Sequence, residues 1–421
     1  MQQVIAEGNR DGEFSTFLGF EWHSSQWGDQ CVVFPEDHRP LFYTSDPEAL
    51  RRFCIDERAL MIPHHLAYPK GCRGVNWDMF REDCTPVVEI FSEHGNSEDD
   101  RGPFPFVTHT MGGRETANTA RAALDAGKRF GFVASSDDHA GFPGAYGEGL
   151  MGVHAQEHAR ASILEAIRTR RTWALTGDRI EVEFSVEGAP MGALIDAGKR
   201  VEVAFDVRGR DELDVVEIVQ DGRVAHRAHA AETPPDFSGP VQLRLEWGWG
   251  PWGALALERV CDWQMRVQLS RGRIRRFFPY LSSMPFDEQR RHRFERLGET
   301  GLAIRSYTSR RNAYRENPNQ SVVLELETDA DAELALVLTE PVAQTASARL
   351  ADLARGSLNL FTGPFPKEGW QWHRVIPLAA SSVAGRAALE LPDGRSSYLY
   401  LRARQRNGHM AWASPVFMNY R

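Results

Sequence analysis

The sequence predicts an α/β domain with parallel strands, followed by an all-β, β-sandwich-like C-terminal region. Residues 1–178 alternate short apolar runs with helical segments, as parallel strands joined by crossover helices do. Beyond Asp178 the apolar runs alternate with polar residues and are separated by Gly, Asp and Pro turns. We therefore predict three domains at 1–178, 179–315 and 316–421, the last being a second β-rich domain or a continuation of the sandwich.

The N-terminal strands are predicted from apolar runs and the helices from their capping residues. Asp46 before Pro47 is typical of an N-cap and a first helical position, and Gly127 suits the left-handed residue that closes a helix. Ser162 and Glu165 have the spacing of a capping box. The predicted helices are Pro47–Glu57, Ala117–Ala126 and a segment from Ser162 to about Arg171, and the predicted strands are Phe14–Phe20, Cys31–Phe34, Ala59–Ile62, Pro86–Phe91, Arg129–Ala134 and Thr172–Leu175.

The C-terminal region is predicted to be mostly strands. A basic stretch, Asp287–Leu297, is predicted to be helical and to link or cross two sheets. The predicted strands are Ile180–Val186, Val201–Val207, Val215–Val219, Met265–Leu269, Val322–Glu327, Leu334–Leu338, Ala387–Leu391 and Tyr398–Arg404.

Composition excludes several classes of protein. The net charge of -9 gives the chain no electrostatic reason to bind nucleic acid or an anionic membrane. The apolar runs fall far short of the ~20 residues that a membrane-spanning helix needs, and the N-terminus lacks the features of a secretory signal, so we expect a cytoplasmic protein. Five cysteines without a Cys-x-x-Cys pair indicate reduced thiols rather than disulfides or a thiolate zinc site.

Histidines and carboxylates follow the predicted strands of the N-terminal part. Nine of the fourteen histidines lie in residues 1–160. In a parallel barrel the strand C-termini meet on one face, so side chains from several strands can surround one point. Nitrogen and oxygen ligands without thiolates suit Zn, Mn or Fe, and a bridging carboxylate can hold two ions. The residues at four successive strand ends are Glu21, then His64 and His65, then His94, and then Asp137, Asp138 and His139.

These segments resemble the later metal-ligand motifs of the polymerase-and-histidinol-phosphatase (PHP) superfamily, and within it the DUF3604 branch. The motifs are Gly-Phe-Glu-Trp, Ile-Pro-His-His, Val-Glu-Ile-Phe-Ser-Glu-His-Gly and Ala-Ser-Ser-Asp-Asp-His-Ala-Gly-Phe-Pro-Gly, within about residues 10–180. The resemblance implies a bridging glutamate at Glu21, a mid-barrel ligand at His64 or His65, a further ligand at His94, and a terminal pair of Asp137 and His139. It also implies one to three divalent ions and a PHP-type barrel.

The family's opening motifs are missing from this chain. PHP domains begin with His-x-His on the first strand and carry an early Asp-His, and nothing before Glu21 supplies either. We therefore expect the chain to begin inside the domain. A barrel without its first strands would expose a sheet edge, so we also expect a homo-oligomer.

The resemblance implies a metal-dependent hydrolase that uses metal-activated water on a small phosphoester. Asp137 and His139 are the candidate catalytic residues, and Lys70 and Arg73 are candidates for phosphate contact. Asp138 could instead orient a ligand imidazole. His109, His154 and His158 are left out of the site, since a single histidine is more often structural.

Two alternatives of other classes stay open. The missing motifs would also fit a non-catalytic remnant of a PHP domain that serves as a scaffold. The segment Trp247–Trp252 could stack sugar rings in a carbohydrate-binding or carbohydrate-active protein, although tryptophans more often pack in cores.

Overall fold

The structure, a computed structural model, is built mainly of antiparallel β-sheets. It describes residues 2–106, 111–139, 142–230, 237–248, 259–282, 290–309, 319–364 and 367–420. Strands make up 46% and helices 13% of the protein. The predicted incomplete PHP-type (β/α) barrel is therefore wrong, because the described residues form six mostly antiparallel sheets rather than a ring of parallel strands.

The described residues up to 178 form eight strands and four helices. The helix predicted at Pro47–Glu57 is confirmed as α2, with the carboxylate of Asp46 accepting the backbone N–H of Glu48. The helices are α1 (Gln2–Gly8), α2 (Pro47–Asp56), α3 (Ala120–Asp125) and α4 (Arg160–Arg168), and short 3-10 helices lie at Trp77–Met79 and Thr116–Asn118. The strands are β1 (Gly19–Trp22), β2 (Gln30–Val33), β3 (Leu60–Pro63), β4 (Val87–Ser92), β5 (Gly95–Asn96), β6 (Gly131–Ala134), β7 (Leu150–Val153) and β8 (Thr172–Leu175).

Strand pairing shows why the barrel prediction failed. Strands β1, β2 and β3 form an antiparallel sheet, although α2 connects β2 to β3. Strands β4 and β6 are parallel, with the two-residue β5 on the other edge of β4. Strand β8, which the sequence predicts as the last barrel strand, pairs antiparallel with β7 and with a strand near the C-terminus. Alternation of strands and helices does not specify the direction in which each strand pairs.

The first β-sandwich buries its core between a four-stranded and an eight-stranded sheet. Along their strands, buried apolar residues alternate with more exposed ones. In β12 (Arg200–Arg208), Val201, Val203, Phe205 and Val207 are buried while their neighbours point outward. The four-stranded sheet has the order β10-β9-β12-β26, and the eight-stranded sheet contains β7, β8, β11, β13, β14, β27, β28 and β29. The strand bounds are β9 (Glu181–Val186), β10 (Ala189–Pro190), β11 (Leu194–Ala197), β12 (Arg200–Arg208), β13 (Leu213–Gln220), β14 (Arg223–Ala228), β26 (Ser382–Glu390), β27 (Ser397–Gln405), β28 (Met410–Ala413) and β29 (Val416–Tyr420).

A second β-sandwich is inserted into the first, between β14 and β26. Its six-stranded and five-stranded sheets enclose a separate core that includes Trp247, Trp263, Trp370 and Trp372. Its strands are β15 (Ser238–Gly248), β16 (Val260–Leu269), β17 (Arg273–Tyr280), β18 (Arg293–Leu297), β19 (Gly301–Ser309), β20 (Gln320–Asp329), β21 (Glu333–Glu340), β22 (Gln344–Arg349), β23 (Leu358–Phe361), β24 (Gly369–Trp372) and β25 (Ile376–Pro377). Helix α5 (Leu350–Arg355) follows β22, and a 3-10 helix at Leu378–Ser381 leads back to the first sandwich.

Two predictions for the C-terminal region bear on this insertion. The helix predicted at Asp287–Leu297 is wrong over residues 293–297, which form β18 and pair with β19; its first residues lie outside the described ones. The division into domains at 178 and 315 stays a prediction. The structure adds that the first sandwich is built from two chain segments on either side of the second.

The first sandwich also supports the N-terminal part. The hydroxyl of Ser414 accepts the backbone N–H of Phe132 in β6 at 2.8 Å. The buried carboxylate of Glu98 accepts hydrogen bonds from Tyr400, Arg402 and Trp412. In this way the C-terminal strands hold β6 and the segment after β5 in place. No helix in the described parts of the chain is long and apolar enough to cross a membrane.

Candidate metal centre

The ends of β1 and β3 and the start of β2 lie at one edge of the first sheet. Both β1 and β3 run antiparallel to β2, so they point in the same direction. Glu21 lies near the end of β1, and His64 and His65 follow β3 directly. Because β2 runs the opposite way, the residue before it, Asp29, lies at the same edge.

Two further strand ends bring their side chains to this edge. His94 lies in the tight turn between β4 and β5, and Asp137 and His139 follow β6. Since β4 and β6 are parallel, their C-terminal ends lie side by side. We call the resulting group the histidine–carboxylate cluster; its residues are Glu21, His23, Asp29, His64, His65, His94, Asp137 and His139.

Three imidazoles of the cluster surround one carboxylate oxygen of Asp137. Oδ2 of Asp137 is in hydrogen-bond contact with Nε2 of His65, lies 2.9 Å from Nε2 of His94, and lies 3.6 Å from Nδ1 of His64. His139 donates its Nδ1–H to the carbonyl oxygen of Asp137 at 2.9 Å. This bond leaves Nε2 of His139 as the nitrogen with a free lone pair, 3.8 Å from Oε2 of Glu21.

Glu21 and Asp29 form the other side of the cluster. Oε1 of Glu21 lies 3.2 Å from Nε2 of His64 and 3.3 Å from Nδ1 of His23. Asp29 is fully buried; it accepts the backbone N–H of Ser24 at 2.8 Å, and its Oδ2 lies 3.6 Å from Nδ1 of His65. Both His64 and His65 therefore belong to the cluster. The sequence alone does not decide which of the two is the ligand.

Buried polar atoms of the cluster lack hydrogen bonds. His64 is 1% exposed, yet neither of its ring nitrogens makes a hydrogen bond, although carboxylate oxygens lie within 3.6 Å of both. Oε1 of Glu21 is likewise buried without a hydrogen bond. A buried polar group without a hydrogen bond costs about 1–3 kcal/mol. Attraction between the His64 imidazole and the carboxylates of Glu21 and Asp137 offsets part of this cost, and a bound cation would offer these atoms a closer partner.

The carboxylates of the cluster are held in their ionised form by positively charged neighbours. Burial alone would raise the pKa of Asp137, but the imidazoles of His64, His65 and His94 outweigh burial and hold that pKa far below its usual range. Glu21 and Asp29 also have lowered pKa values, because their imidazole and guanidinium neighbours outweigh their burial. All three carboxylates are therefore ionised at neutral pH. Beneath them, burial raises the pKa of Glu89 to about 7.

The backbone is strained where it presents these side chains. His65, Asp137 and Arg73 have φ angles of 51°, 55° and 67°, in the left-handed region that non-glycine residues rarely adopt. Such conformations cost on the order of 1–3 kcal/mol each and concentrate at functional sites. Their presence at three positions around one cluster supports a binding or catalytic role.

The two predicted phosphate contacts differ in position. The guanidinium of Arg73 contacts Asp29 and lies 3.6 Å from Oε1 of Glu21, so it is part of the site. Lys70 forms an exposed ion pair with Asp78 at 3.0 Å. Among the described residues, no hydrogen bond or ion pair joins Lys70 to the cluster. A phosphate contact by Lys70 stays a prediction without structural support.

Gly74 controls the position of the Arg73 loop. A Cβ atom at Gly74 would lie 1.7 Å from the carbonyl oxygen of Tyr68, a backbone atom that cannot move alone. We expect Gly74→Ala to lower the free energy of unfolding by about 1–3 kcal/mol, the usual cost of overpacking. Urea denaturation measures the change. Gly113→Ala is the control, since a Cβ there has no heavy atom within 4 Å, and equal effects of the two variants would contradict this account.

Other residues singled out by the sequence lie elsewhere. Trp247 is fully buried in the core of the second sandwich, so it offers no open ring face, and the rest of the Trp247–Trp252 segment lies outside the described residues apart from Gly248. The carboxylate of Asp138 accepts the backbone N–H of Phe142. His154 bonds a carbonyl oxygen of β9 at 3.0 Å, and His109 lies outside the described residues.

Sequence reasoning missed two members of the cluster, His23 and Asp29. His23 lies in the same triplet as Glu21, a segment in which the resemblance implies only the glutamate as a ligand. Asp29 was missed because parallel pairing would have placed the start of β2 at the opposite end of the sheet. The signal that would have identified both is the short connection from β1 to β2, which is typical of antiparallel neighbours.

Comparison with known proteins gives relatives but no family. No family model matches the chain. The chain is similar to uncharacterized proteins of Chlamydia trachomatis serovar D, at 26% identity over 256 residues, and of Chlamydia pneumoniae, at 25% identity over 256 residues. A protein of Chlamydia muridarum is 26% identical over 253 residues. Each match covers 54% of this chain and 40% of the relative, so the chain matches well under half of each relative's length.

Proposed function

We propose that this chain is a metal-dependent hydrolase of phosphoesters, as its resemblance to the PHP superfamily implies. The observation that carries the proposal is the convergence of three imidazoles, those of His64, His65 and His94, on one oxygen of Asp137. The nitrogens of the buried His64 make no hydrogen bond. A divalent cation would give these lone pairs the partner that hydrogen bonds do not.

The donor set fits Zn, Mn or Fe. The ligand atoms are imidazole nitrogens and carboxylate oxygens, which these ions accept. Four tetrahedral ligands at about 2.0–2.1 Å from a zinc ion lie about 3.3 Å from each other. Nε2 of His64 and Oε1 of Glu21 are 3.2 Å apart, and Nε2 of His94 and Oδ2 of Asp137 are 2.9 Å apart, both close to that value.

The proposed ligands of one ion are His65, His94 and Asp137, with His64 next to them; Glu21 and His139, which the resemblance also implies as ligands, would bind only a second ion. A divalent cation held by them would supply Lewis acidity, which makes water more acidic and neutralises charge on a phosphoryl oxygen. Without a bound ion, Oδ2 of Asp137 holds the Nε2 atoms of His65 and His94 close together.

Two residues at the mouth of the site suit substrate contact. His139 is mostly exposed, and its Nε2 is free to pass a proton to or from a bound ester because Nδ1 is held by the Asp137 carbonyl. The guanidinium of Arg73 is partly exposed and presents a fixed positive charge to the oxygens of a phosphate group.

Metal content and hydrolysis, measured together, test this function. Purified protein should contain at least one transition-metal ion per chain by plasma mass spectrometry and should hydrolyse p-nitrophenyl phosphate or its diester. His94→Ala should lose both properties because it removes a ligand next to Asp137. His158→Ala is the matched control, since His158 is exposed and outside the cluster. Absence of bound metal after reconstitution with Zn²⁺, Mn²⁺ and Fe²⁺ would refute the proposal.

A further inference from the structure

The guanidinium of Arg73 contacts residues inside the histidine–carboxylate cluster and is also partly exposed to solvent. Its Nε and Nη2 contact Oδ2 of Asp29, and Nη2 lies 3.2 Å from Nδ1 of His23 and 3.6 Å from Oε1 of Glu21. The side chain is 27% exposed, so one part of it faces solvent while the other faces these ligands.

The three groups that Arg73 contacts would themselves suit a metal ion. Ligand atoms of Glu21, His23 and Asp29 all lie within 4.8 Å of one another, as do those of His65, His94 and Asp137 on the other side of the cluster. A guanidinium and a divalent cation use the same carboxylate lone pairs, so they exclude each other. The guanidinium is permanently charged and cannot leave by deprotonation.

The loop that carries Arg73 is fixed to the connection between β1 and β2. The backbone N–H of Arg73 donates to the carbonyl oxygen of Ser25 at 3.1 Å, and that of Asn76 to the carbonyl oxygen of Trp27 at 3.1 Å. Gly28, with φ at +85°, lies so close to the backbone of Gly74 and Val75 that a Cβ atom would come within 2.9 Å of it. Arg73 is thus held between Asp29 and Glu21 by backbone contacts as well as by charge.

We propose that the Arg73 guanidinium takes the place of a second metal ion in this centre. The single ion is then held by the group of His65, His94 and Asp137. Arg73 provides the second positive charge, next to the carboxylates of Glu21 and Asp29. A phosphoryl group between the two would meet a metal ion on one side and the planar fork of N–H donors on the other. This inference rests on the proposed function and specifies how the site handles an anionic substrate.

Metal stoichiometry provides the test. Protein is dialysed to equilibrium against excess Mn²⁺, and bound manganese per chain is measured by plasma mass spectrometry. The wild type should bind one ion. Arg73→Ala frees Glu21, His23 and Asp29, so it should bind two, and Arg73→Gln should behave in the same way if the alanine variant folds poorly. Arg73→Ala combined with Asp29→Asn should return to one ion.

A control variant separates this effect from simple loss of a cation. Arg129 pairs with Glu82 at 3.0 Å outside the cluster, so Arg129→Ala also frees a carboxylate and should leave the stoichiometry at one. Two ions in the wild type, or one ion in both Arg73 variants, would overturn the inference and leave the proposed function standing. Absence of bound metal in every variant would overturn both.

Discussion

Replacement of Asp137 by alanine is expected to lower the metal affinity of the site by about 100-fold or more. Loss of a residue that only orients a metal ligand typically costs 10–100-fold, and Asp137 does more than that. Its Oδ2 contacts His65 and His94 and lies within 3.6 Å of His64, so its removal leaves three imidazoles without their shared anion. Hydrolysis at limiting metal should fall in parallel.

Titration of the metal-free protein with Zn²⁺, followed by calorimetry, measures this loss. Asp78→Ala is the control, because Asp78 is an exposed carboxylate paired with Lys70 outside the cluster. The control should keep the affinity of the wild type. Unchanged zinc affinity in Asp137→Ala would show that Asp137 is not a ligand, and the proposed centre would then lose its central residue.

Replacement of Asp178 by alanine is expected to lower the free energy of unfolding by about 3–5 kcal/mol, the usual cost of breaking a buried ion pair. Asp178 is fully buried and accepts two hydrogen bonds from Arg244, at 2.8 and 2.9 Å. It also accepts from Tyr146, Gln405 and Asn407. Without this carboxylate, Arg244 of the second sandwich would be a buried charge without its counterion.

Urea denaturation of Asp178→Ala and of Asp206→Ala compares a buried with an exposed pair. Asp206 pairs with the half-exposed Arg208 at 3.0 Å, an interaction worth at most about 1 kcal/mol. A loss as small in Asp178→Ala as in the control would mean that Arg244 finds another partner or water. The interface between the two sandwiches would then not depend on this ion pair.

The same pair predicts a pH dependence. Burial opposes ionisation of Asp178, but Arg244 outweighs it and lowers the pKa of Asp178 well below its usual range. A carboxylate with a lowered folded-state pKa stabilises the protein above its unfolded-state pKa, about 3.9, and this contribution is lost as the pH falls through the lower folded-state pKa. The stability difference between wild type and Asp178→Asn should therefore stay constant from pH 7 to about 4.5 and shrink only below that range.

Local features of the fold could be predicted from the sequence, while pairing could not. The cap of α2 at Asp46 and Pro47 depends on neighbouring residues, and the helix begins where it was predicted. Strand β8 has the predicted bounds, Thr172–Leu175, but its partner β28 lies more than two hundred residues away. A short apolar run specifies that a strand forms, not which strand lies beside it or in which direction.

The candidate site, too, could be predicted only in part from the sequence. Glu21, His94 and Asp137 were expected together because they follow predicted strands, and the structure places them in one cluster. Asp29 joins them only because β2 is antiparallel, which periodicity does not reveal. The contacts of Arg73 depend on a left-handed backbone conformation at that residue, for which a non-glycine sequence gives no warning.

The nested order of the two sandwiches has a consequence for synthesis of the chain. The hydroxyl that accepts the N–H of Phe132 in β6 belongs to Ser414, 282 residues later. At roughly 5–20 residues per second, translation of that interval takes on the order of 14–56 s. During this time β6, which precedes Asp137 and His139, lacks its neighbour on the nascent chain. We therefore expect metal to be acquired only after residue 414 has left the ribosome, and ribosome-bound chains stalled before residue 410 should not retain zinc.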